Sequence, residues 1–370
     1  MDLEPAYSHV RALLHLVNSN LENIHQLLVV NTKQSYSLPD DYSKFSVTTE
    51  YLSDGELDQI LQGFRDGGVL TDLYVGEINF IRALTAGPTF TEASRTRVVY
   101  STVPSGTWHG RDSLIPALCG CWNVRYCGGD AYSMAVAGNK YYALRLAEGC
   151  GENTGGIYLY THRQGWCNGR RPPAGEKIII KPALECASIG IDEASVRYVD
   201  NTLEDELASR AEFLRQPLLV QPFVPGYEIE VPVYGAPEPI APAAYGIMTN
   251  GVKDLGDHFL TYDRVYRGEY AFYPIFAEDP RLESQLRASA CRVFSELGLR
   301  GFARMDYRVR NDGSWAITDI NAIPHLTPDA SNSLAFATLD LTYPEVLKLV
   351  TAAGLIDWRK TTGETSIGCQ

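Results

Sequence analysis

Two carboxylates and an amide interrupt an apolar stretch near the end of the chain. The segment FARMDYRVRNDGSWAITDINAIPH, residues 302–325, carries Asp306, Asp319 and Asn321 where an ordinary buried sheet would carry apolar side chains. Apolar residues alternate along both arms, and the Asn, Asp and Gly at 311–313 favour a tight turn between them. The pattern predicts a β-hairpin whose polar residues share a function.

The expected register of this hairpin brings the acids together. A two-residue type I′ turn at 312–313 sets Asp306 opposite Asp319 and Arg304 opposite Asn321, with all four on one face. Directly opposed residues have Cβ atoms about 4.5–5.5 Å apart, so two like charges there repel and call for a cation. Oxygen ligands without Cys or His suit Mg²⁺, which takes one or two carboxylates together with phosphate oxygens. Alternatively, both acids point to water at a sheet edge, and a three-residue loop would break the pairing.

A metal held by so few protein oxygens implies phosphate ligands, and two lysines are candidates to neutralise them. Lys140 lies in AVAGNKYYAL, and Lys181 ends the run IIIKP, which is typical of a buried strand. Taken singly, each lysine is more often a solvated surface residue. The following loop, ALECASIG, contains Ala187, Ser188 and Gly190, small residues that let backbone N–H groups approach a phosphate.

A candidate purine site follows in LLVQPFVPGYEIEV. Phe223 and Val224 can sandwich an adenine, the backbone of residues 221–224 can read its edge, and Glu228 can accept hydrogen bonds from ribose hydroxyls. The alternative is an ordinary strand followed by a turn. The chain has neither a GxxxxGK[ST] phosphate loop nor a GxGxxG after a strand, so the common nucleotide motifs are absent.

Composition narrows the class of protein. With 370 residues, 45% of them hydrophobic, the chain can form two or three domains or one compound α/β enzyme. A net charge of −13 without clusters of Lys and Arg argues against a nucleic-acid-binding face. The first 20 residues have the pattern of neither a signal peptide nor a membrane span. The eight cysteines form no CxxC pair, which favours buried free thiols in a protein of the reducing cytoplasm.

The remaining pattern indicates alternating helices and strands. Near the N-terminus we predict strands at VRALLHLV and RTRVVYS and a helix at SDGELDQILQGFRDGG. A short strand and one Ala-rich helix ending at Gly149 follow, and then the strand that ends at Lys181. A helix at NTLEDELASRAEFLRQ precedes strands at PLLVQPFV and EIEVPVYG. A long loop and the helix DPRLESQLRASACRVFSELGL lead into the hairpin.

The ordered motifs closely resemble the ATP-grasp superfamily, and within it the D-alanine–D-alanine ligase-like enzymes. They run from Lys140 through KPALECASIG, VQPFVPGYEIEV and RMDYR to TDINAIPHLT, and the likeness covers residues 111 to about 350. It implies an α/β protein with the ATP-grasp fold, in which an N-terminal α/β domain at 1–125 precedes two α+β subdomains that close on ATP, 126–223 and 224–370. In that family ATP phosphorylates a carboxylate, and an amine then displaces phosphate to give an amide.

The resemblance also implies a role for each candidate residue. Arg304 stabilises the acyl phosphate and the tetrahedral state, and Lys181 and Arg267 are further catalytic residues that steady the γ-phosphate. The implied ligands of Mg²⁺, or alternatively Mn²⁺, are Asp306, Asp319 and Asn321, and the implied ATP contacts are Lys140, Lys181, Glu185, Ser188, Gln221, Phe223, Val224 and Glu228.

Several positions depart from the family pattern. The family usually has Glu at the positions of Asp319 and Gln221, and Gly at that of His325, where an imidazole narrows or alters the acceptor pocket. Arg267, in TYDRVYRGEY, takes the place of a lysine and can still bind a γ-phosphate. The chain lacks the Gly-Gly-x-Ser-x-Glu string that helps the cell-wall enzymes to bind the first D-alanine. The first substrate is therefore predicted not to be D-alanine.

We therefore predict an ATP-dependent carboxylate–amine ligase that acts on an amino acid or a small specialised metabolite, as in natural-product biosynthesis. His325, Tyr262 and Tyr266 are candidate substrate contacts, although a packing role for His325 is at least as consistent with the sequence. The alternatives are a phosphotransferase of the same fold that stops at a phosphorylated product and a non-catalytic nucleotide-binding regulator. The expected partners are small-molecule carboxylate and amine substrates, without nucleic acid or membrane, and a homodimer is the candidate assembly.

Overall fold

A computed structural model describes residues 4–35, 42, 44–86 and 94–356 of the chain. Its strands form three separate sheets that follow one another along the sequence. Within the described residues, no helix combines the length and the apolar composition needed to cross a bilayer. The sheets and their helices define an N-terminal, a central and a C-terminal unit.

The N-terminal unit contains α1 (Glu4–Asn18), β1 (Ile24–Val30), α2 (Asp54–Asp66), β2 (Thr71–Val75), α3 (Glu77–Thr85), β3 (Thr96–Ser101), α4 (Leu114–Cys121) and β4 (Arg125–Tyr126). Its strands form a parallel sheet in the order β2-β1-β3-β4. β1 is buried along almost its whole length, as expected of a central parallel strand that helices cover on both faces.

The first helix corrects one prediction. Residues 10–17, expected as a strand, belong to α1, where Val10, Leu13, Leu14 and Val17 are all buried. Their spacing of i, i+3, i+4 and i+7 places them on one face of a helix, whereas a half-buried strand requires alternation. The strand predicted at RTRVVYS and the helix predicted at SDGELDQILQGFRDGG are confirmed as β3 and α2.

The central unit contains α5 (Ala131–Ala137), α6 (Lys140–Gly149), β5 (Tyr158–Thr161), β6 (Gly165–Trp166), β7 (Lys177–Pro182), β8 (Val196–Tyr198), α7 (Leu203–Leu214) and β9 (Leu218–Pro222). Its sheet is antiparallel, in the order β6-β5-β9-β7-β8. The single Ala-rich helix that was predicted is divided in two, because the Asn139 side chain accepts hydrogen bonds from the N–H groups of Tyr141 and Tyr142. This break makes Lys140 the first residue of α6.

The C-terminal unit contains β10 (Tyr227–Gly235), β11 (Pro239–Ile240), β12 (Tyr245–Met248), α8 (Tyr262–Tyr266), β13 (Ala271–Pro274), α9 (Pro280–Glu296), β14 (Gly301–Val309), β15 (Trp315–Asn321), α10 (Ser331–Ala337) and α11 (Tyr343–Leu355). Its antiparallel sheet has the order β13-β12-β10-β14-β15, and β11 pairs with the end of β10. The segment predicted as one long loop therefore includes α8 and β13. α11 returns to the N-terminal unit and packs on α1 and α2 in a shared apolar core.

The hairpin of β14 and β15 has the predicted facing pairs. Asp306 lies opposite Asp319, and Arg304 lies opposite Asn321. Successive side chains of a strand point to opposite faces, so these four share the face of the sheet that is turned to the central unit. The sheet thus positions two acids, one amide and one arginine together.

The turn of this hairpin is not the predicted one. A hydrogen bond of 2.8 Å from the Arg310 N–H to the Ser314 carbonyl closes a three-residue loop at 311–313, and Gly313 has a φ of 80°. Near the loop the pairing is consequently shifted by one residue. A β-bulge with Thr318 as the extra residue of β15 shifts it back before the acids are reached.

The cysteines are free thiols, but they are not uniformly buried. None of the seven described cysteines forms a disulfide; Cys119 and Cys127 are buried, whereas Cys121 is exposed. Cys369 lies outside the described residues. The prediction of buried thiols is therefore right for two of the seven positions; four others are half-buried, and the prediction is wrong for Cys121.

Candidate functional site

A cavity of about 820 Å³ is lined by side chains of all three units. Every predicted site residue except Tyr262 lies on its wall. These residues are Lys140, Lys181, Glu185, Ser188, Gln221, Phe223, Val224, Glu228, Tyr266, Arg267, Arg304, Asp306, Asp319, Asn321 and His325.

Basic side chains balance the two opposed acids. Asp306 accepts two hydrogen bonds from the Arg304 guanidinium, at 2.7 and 2.8 Å, and Asp319 accepts one from the Lys140 ammonium. Burial opposes the charge of Asp319, but Lys140 and Lys181 outweigh it and hold the pKa of this carboxyl below its usual value. Each of the opposed acids thus has a cationic partner in the protein, and the metal ion expected between them stays a prediction.

The donor set nevertheless suits a magnesium ion. Asp306, Asp319 and Asn321 present hard oxygen donors on one wall of the cavity, and Mg²⁺ prefers such ligands. Among the described residues, no group of three or more His, Cys, Asp or Glu side chains is arranged to hold a metal. Two carboxylates and one amide form an incomplete set, which fits an ion that takes its remaining ligands from phosphate and water.

Lys181 approaches the acids through the β-bulge. Its ammonium donates a hydrogen bond of 3.0 Å to the carbonyl of Thr318, the extra residue of β15. Burial lowers the pKa of Lys181 to about 8, although Asp319 opposes the shift. At neutral pH this ammonium is therefore still mostly protonated, and it can bind a phosphate oxygen.

We expect the affinity for ATP to fall as the pH rises through 8. Deprotonation of Lys181 removes a positive charge from the cavity, so the Kd for ATP should be roughly tenfold higher at pH 9 than at pH 7.5. The folded pKa of about 8 lies below the unfolded value of 10.5, so between these pH values the unfolded chain binds the extra proton. The contribution of Lys181 to stability consequently rises with pH across that window.

Isothermal titration calorimetry with ATP at the two pH values checks this prediction. Lys181→Arg keeps its positive charge at both pH values, so its Kd for ATP should change little between them. Lys348→Arg lies outside the cavity and should show the same change in Kd as wild type. An equally steep profile in Lys181→Arg would show that another group titrates.

The loop after β7 offers backbone donors beside the cavity. Ala187 and Ser188 have φ values of 48° and 55°, which residues other than glycine rarely adopt. Neither N–H donates a hydrogen bond within the described residues, while the Ser188 hydroxyl donates to the Leu260 carbonyl at 2.9 Å. Two successive unpaired N–H groups form the kind of concave nest that binds anions. The loop therefore fits the predicted phosphate contact.

The other end of the cavity is apolar. The Phe223 and Phe259 rings meet edge to face with centroids 5.9 Å apart, and the Arg308 guanidinium lies 5.2 Å from the Phe223 centroid. Arg308 also donates to the Val224 carbonyl at 2.9 Å and to the Glu228 carboxylate at 3.3 Å. This arrangement fixes the chain from Phe223 to Glu228 and leaves a wall suited to a flat aromatic ligand.

Glu185 lies on the wall, but its carboxylate has protein partners. The Tyr42 hydroxyl and the Gln216 amide donate to Oε1 at 2.7 and 2.9 Å, and the Arg111 guanidinium donates to Oε2 at 3.3 Å. Burial raises the pKa of Glu185 to about 7, and the nearby Glu50 carboxylate adds to the shift. This network positions the phosphate loop, so the Glu185 side chain is committed to holding the loop.

The segment around α8 places two of its three predicted residues at the cavity. Tyr266 and Arg267 line it, and both side chains are well exposed. Tyr262 is buried instead, and its hydroxyl accepts hydrogen bonds from the Ser46 N–H at 2.8 Å and the Thr49 hydroxyl at 3.2 Å. The structure therefore replaces the predicted substrate contact at Tyr262 with a packing role that ties α8 to the N-terminal unit.

Charges of both signs line the wall that the N-terminal unit contributes. Lys33 and Glu56 come from that unit, and Asp329 reaches the same cavity from the C-terminal unit. Burial opposes the charge of Glu56, but hydrogen bonds from the Ser53 N–H and hydroxyl outweigh it and hold the pKa of Glu56 below its usual value. A ligand bound here meets a fixed negative charge and a lysine, as suits an amino acid.

His325 separates this region from the apolar core. Its Nε2 lies 3.2 Å from the Glu50 carbonyl oxygen, and the imidazole lines both the main cavity and a small apolar pocket of about 20 Å³ behind it. The histidine therefore has a packing contact and an exposed edge at the same time. Both interpretations made from the sequence describe part of its environment.

Glu230 is the main site residue that sequence reasoning missed. Its carboxylate lies 3.2 Å from the Arg304 guanidinium and accepts a hydrogen bond from the Ser331 hydroxyl. Burial raises the pKa of Glu230 to about 7. The sequence motif EIE could have revealed this residue, because alternation along a strand places Glu230 on the same face as Glu228. The pairing of β10 with β14 then sets Glu230 opposite Asp306.

The central and C-terminal units each combine an antiparallel sheet with helices, and together they line a cavity with paired acids, two buried lysines and a small-residue loop. These features are typical of the ATP-grasp class of protein. A family model described as "D-ala D-ala ligase C-terminus" matches residues 162–351, which is just over half of the chain. The chain belongs to this D-alanine–D-alanine ligase family of ATP-grasp ligases.

Individual relatives agree with this assignment. The chain is 25% identical over 240 residues to a D-alanine–D-alanine ligase of Corynebacterium aurimucosum, covering 65% of this chain and 66% of that protein. It is 24% identical over 282 residues to one of Corynebacterium jeikeium, covering 76% and 73%. The solved structure of the Bacillus anthracis D-alanine–D-alanine ligase complexed with ATP covers 92% of this chain and 99% of its own, with a TM-score of 0.65 and 12% identity. That structural likeness confirms the predicted ATP-grasp fold.

Proposed function

We propose that this protein uses ATP to join a carboxylate to an amine through an acyl phosphate. The observation that carries the proposal is the placement of Lys140, Lys181 and Arg304 on one wall with Asp306 and Asp319. Membership of a ligase family and a fold shared with an ATP-complexed ligase support it. ADP and phosphate are the expected by-products.

The cationic wall accounts for the phosphoryl transfer step. This reaction depends mainly on positioning and on neutralising the charge of the phosphate oxygens. The ammonium groups of Lys140 and Lys181 bind those oxygens, and the N–H groups of Ala187 and Ser188 hold the phosphate chain from the other side. Mg²⁺, or alternatively Mn²⁺, held by the two acids and Asn321, supplies further charge neutralisation when bound.

Arg304 accounts for the second step. When the amine attacks the acyl phosphate, negative charge develops on the carbonyl oxygen, and a positioned guanidinium stabilises it. Glu230 and Asp306 hold the guanidinium from two sides, so its orientation is set before the substrate binds. ATP activates the carboxylate as an acyl phosphate and the amine then displaces the phosphate, so no side chain needs to act as a nucleophile.

The substrate-side wall favours an amino acid other than D-alanine. Glu56 suits the ammonium of such a substrate, and Lys33 suits an acidic group, while the Gly-Gly-x-Ser-x-Glu string is missing. His325 further reduces the space for the acceptor amine. We propose a specialised amino-acid or dipeptide ligase of the cytoplasm, where ATP is available; a homodimer stays a prediction.

A matrix of carboxylates against amines tests the function. The protein is incubated with Mg²⁺ and ATP, and each pair is scored by phosphate release and by product mass. Phosphate release that requires both substrates, with a product of the mass of the amide, is the expected result. A stable phosphorylated product without amide identifies the phosphotransferase, and ATP binding without turnover in any pair identifies the regulator.

We expect His325→Gly to widen the acceptor preference. Removing the imidazole joins the small apolar pocket to the main cavity, so bulkier amines gain room. The ratio of kcat/KM for a bulky amine to that for a small one should rise roughly tenfold, the scale of one or two methylene groups in a pocket. Competition assays with product masses measure this ratio.

His162→Gly provides the matched control, because this exposed histidine lies on the β5–β6 hairpin away from the cavity. An unchanged ratio in His325→Gly, together with a lower melting temperature, would identify His325 as a packing residue.

A further inference from the structure

A buried amide without a protein partner lies at the apolar end of the cavity. Gln221, in β9, is only 1% exposed, and neither its Oε1 nor its Nε2 has a hydrogen-bond partner within the described residues. The same residue lines the cavity beside Phe223 and Val224. Burying an amide without a partner costs free energy, so a ligand that completes its hydrogen bonds is expected here.

The surroundings indicate the class of that ligand. Phe223, Val224, Ile179 and Phe259 give this end of the cavity apolar and aromatic walls. The Val224 N–H donates no hydrogen bond within the described residues. A flat heterocycle with polar atoms along one edge satisfies the amide, the N–H and the apolar walls together. On the proposed function, that heterocycle is the purine of the nucleotide.

We propose that Gln221 lets this enzyme use 6-oxopurine triphosphates, such as ITP and GTP, in addition to ATP. A primary amide carries an acceptor and a donor that exchange places on rotation of the side chain. Its oxygen accepts from the 6-amino group of adenine, and its nitrogen donates to the 6-oxo group of hypoxanthine or guanine. A glutamate at this position only accepts, so it favours the amino group and repels the oxo group.

The same wall still gives ATP an advantage. The Val224 N–H suits the unprotonated N1 of adenine, whereas a 6-oxopurine carries a hydrogen on N1. We therefore expect ATP to be preferred by about tenfold or less, the scale of one hydrogen bond. Compared with a glutamate, the Gln221 amide reduces the preference for adenine over a 6-oxopurine but does not reverse it.

Direct binding of ATP and ITP, with Mg²⁺ and without a carboxylate or an amine, tests the inference. In wild type the two Kd values should lie within about tenfold, and Gln221→Glu should widen their ratio by at least about tenfold, mainly by weakening ITP. Gln164→Glu makes the same change at an exposed position outside the cavity and should leave the ratio unchanged. The same measurement with GTP tests a 6-oxopurine that also carries a 2-amino group.

A second variant covers the case in which Gln221→Glu does not fold. Gln221→Met keeps the volume without the polar atoms, so it should weaken ATP and ITP by similar factors of about three to ten. Rejection of ITP by more than about 100-fold in wild type, or a ratio that Gln221→Glu leaves unchanged, overturns the inference. Failure to bind either nucleotide instead contradicts the proposed function, and the absence of ligation with every substrate pair leaves the comparison of Kd values intact.

Discussion

Replacing Arg304 with lysine should lower kcat for amide formation by roughly 100-fold or more while ATP still binds, as expected when a donor to a developing oxyanion is lost. The guanidinium donates two hydrogen bonds to Asp306 and lies 3.2 Å from Glu230, so its plane is fixed in the cavity. Lysine keeps the charge but has no fork, and it cannot contact both acids and a substrate oxygen in the same geometry. Single-turnover kinetics separate the loss in chemistry from any change in ATP affinity.

Arg310→Lys supplies the matched control for this experiment. Arg310 follows β14 near the exposed end of the same hairpin, and its guanidinium donates to the Ser314 hydroxyl at 3.4 Å. We expect this variant to keep the kcat of wild type. Thermal melting shows whether Arg304→Lys remains folded; if a folded Arg304→Lys enzyme retains its kcat, Arg304 does not stabilise the reacting atoms.

The hairpin shows why a facing pair can be predicted from sequence when its turn cannot. A one-residue change in register moves every side chain of a strand to the other face. The Asn-Asp-Gly sequence is compatible with loops of two or three residues, and the three-residue form alone would have turned Asp319 away from Asp306. The bulge at Thr318 compensates, because it adds one residue to β15. The pairing of Asp306 with Asp319 was predicted correctly, but the predicted two-residue turn is not what produces it. No local feature of the sequence at Thr318 reveals the bulge.

The network around the acids depends on contacts between units that sequence reasoning could not reach. Lys140 was predicted as a phosphate ligand, yet its pairing with Asp319 joins residues 179 positions apart. Arg111 and Tyr42, which hold Glu185, lie in the N-terminal unit, where the sequence carries few motifs. Alternation and turn residues predict strands and faces, whereas the meeting of three units depends on tertiary packing.

We expect Asp319→Asn to lower kcat without weakening the binding of ATP in the absence of metal. The carboxylate forms an ion pair with Lys140 and lies near Lys181, so it competes with a phosphate for these cations. Its neutralisation should therefore leave ATP binding in EDTA equal or tighter. The same change removes a charged metal ligand, so kcat should fall by about 100-fold and the Mg²⁺ concentration for half-maximal rate should rise. Calorimetry with and without Mg²⁺ and steady-state rates measure the two effects.

Two further substitutions on the same hairpin distinguish the effect of losing the Asp319 charge from a general disruption of the fold. Asp312→Asn removes a negative charge from the exposed turn and should change neither kcat nor the affinity for ATP in EDTA. Asp319→Glu keeps the charge at the same position of β15, so it should retain most of the activity. Because Asp319 is paired and buried, its loss also removes a stabilising contact, and a lower melting temperature of Asp319→Asn is expected. If Asp319→Asn weakened ATP binding in EDTA as strongly as in Mg²⁺, the carboxylate would be positioning the lysines, and the assignment of a metal ligand at this position would fail.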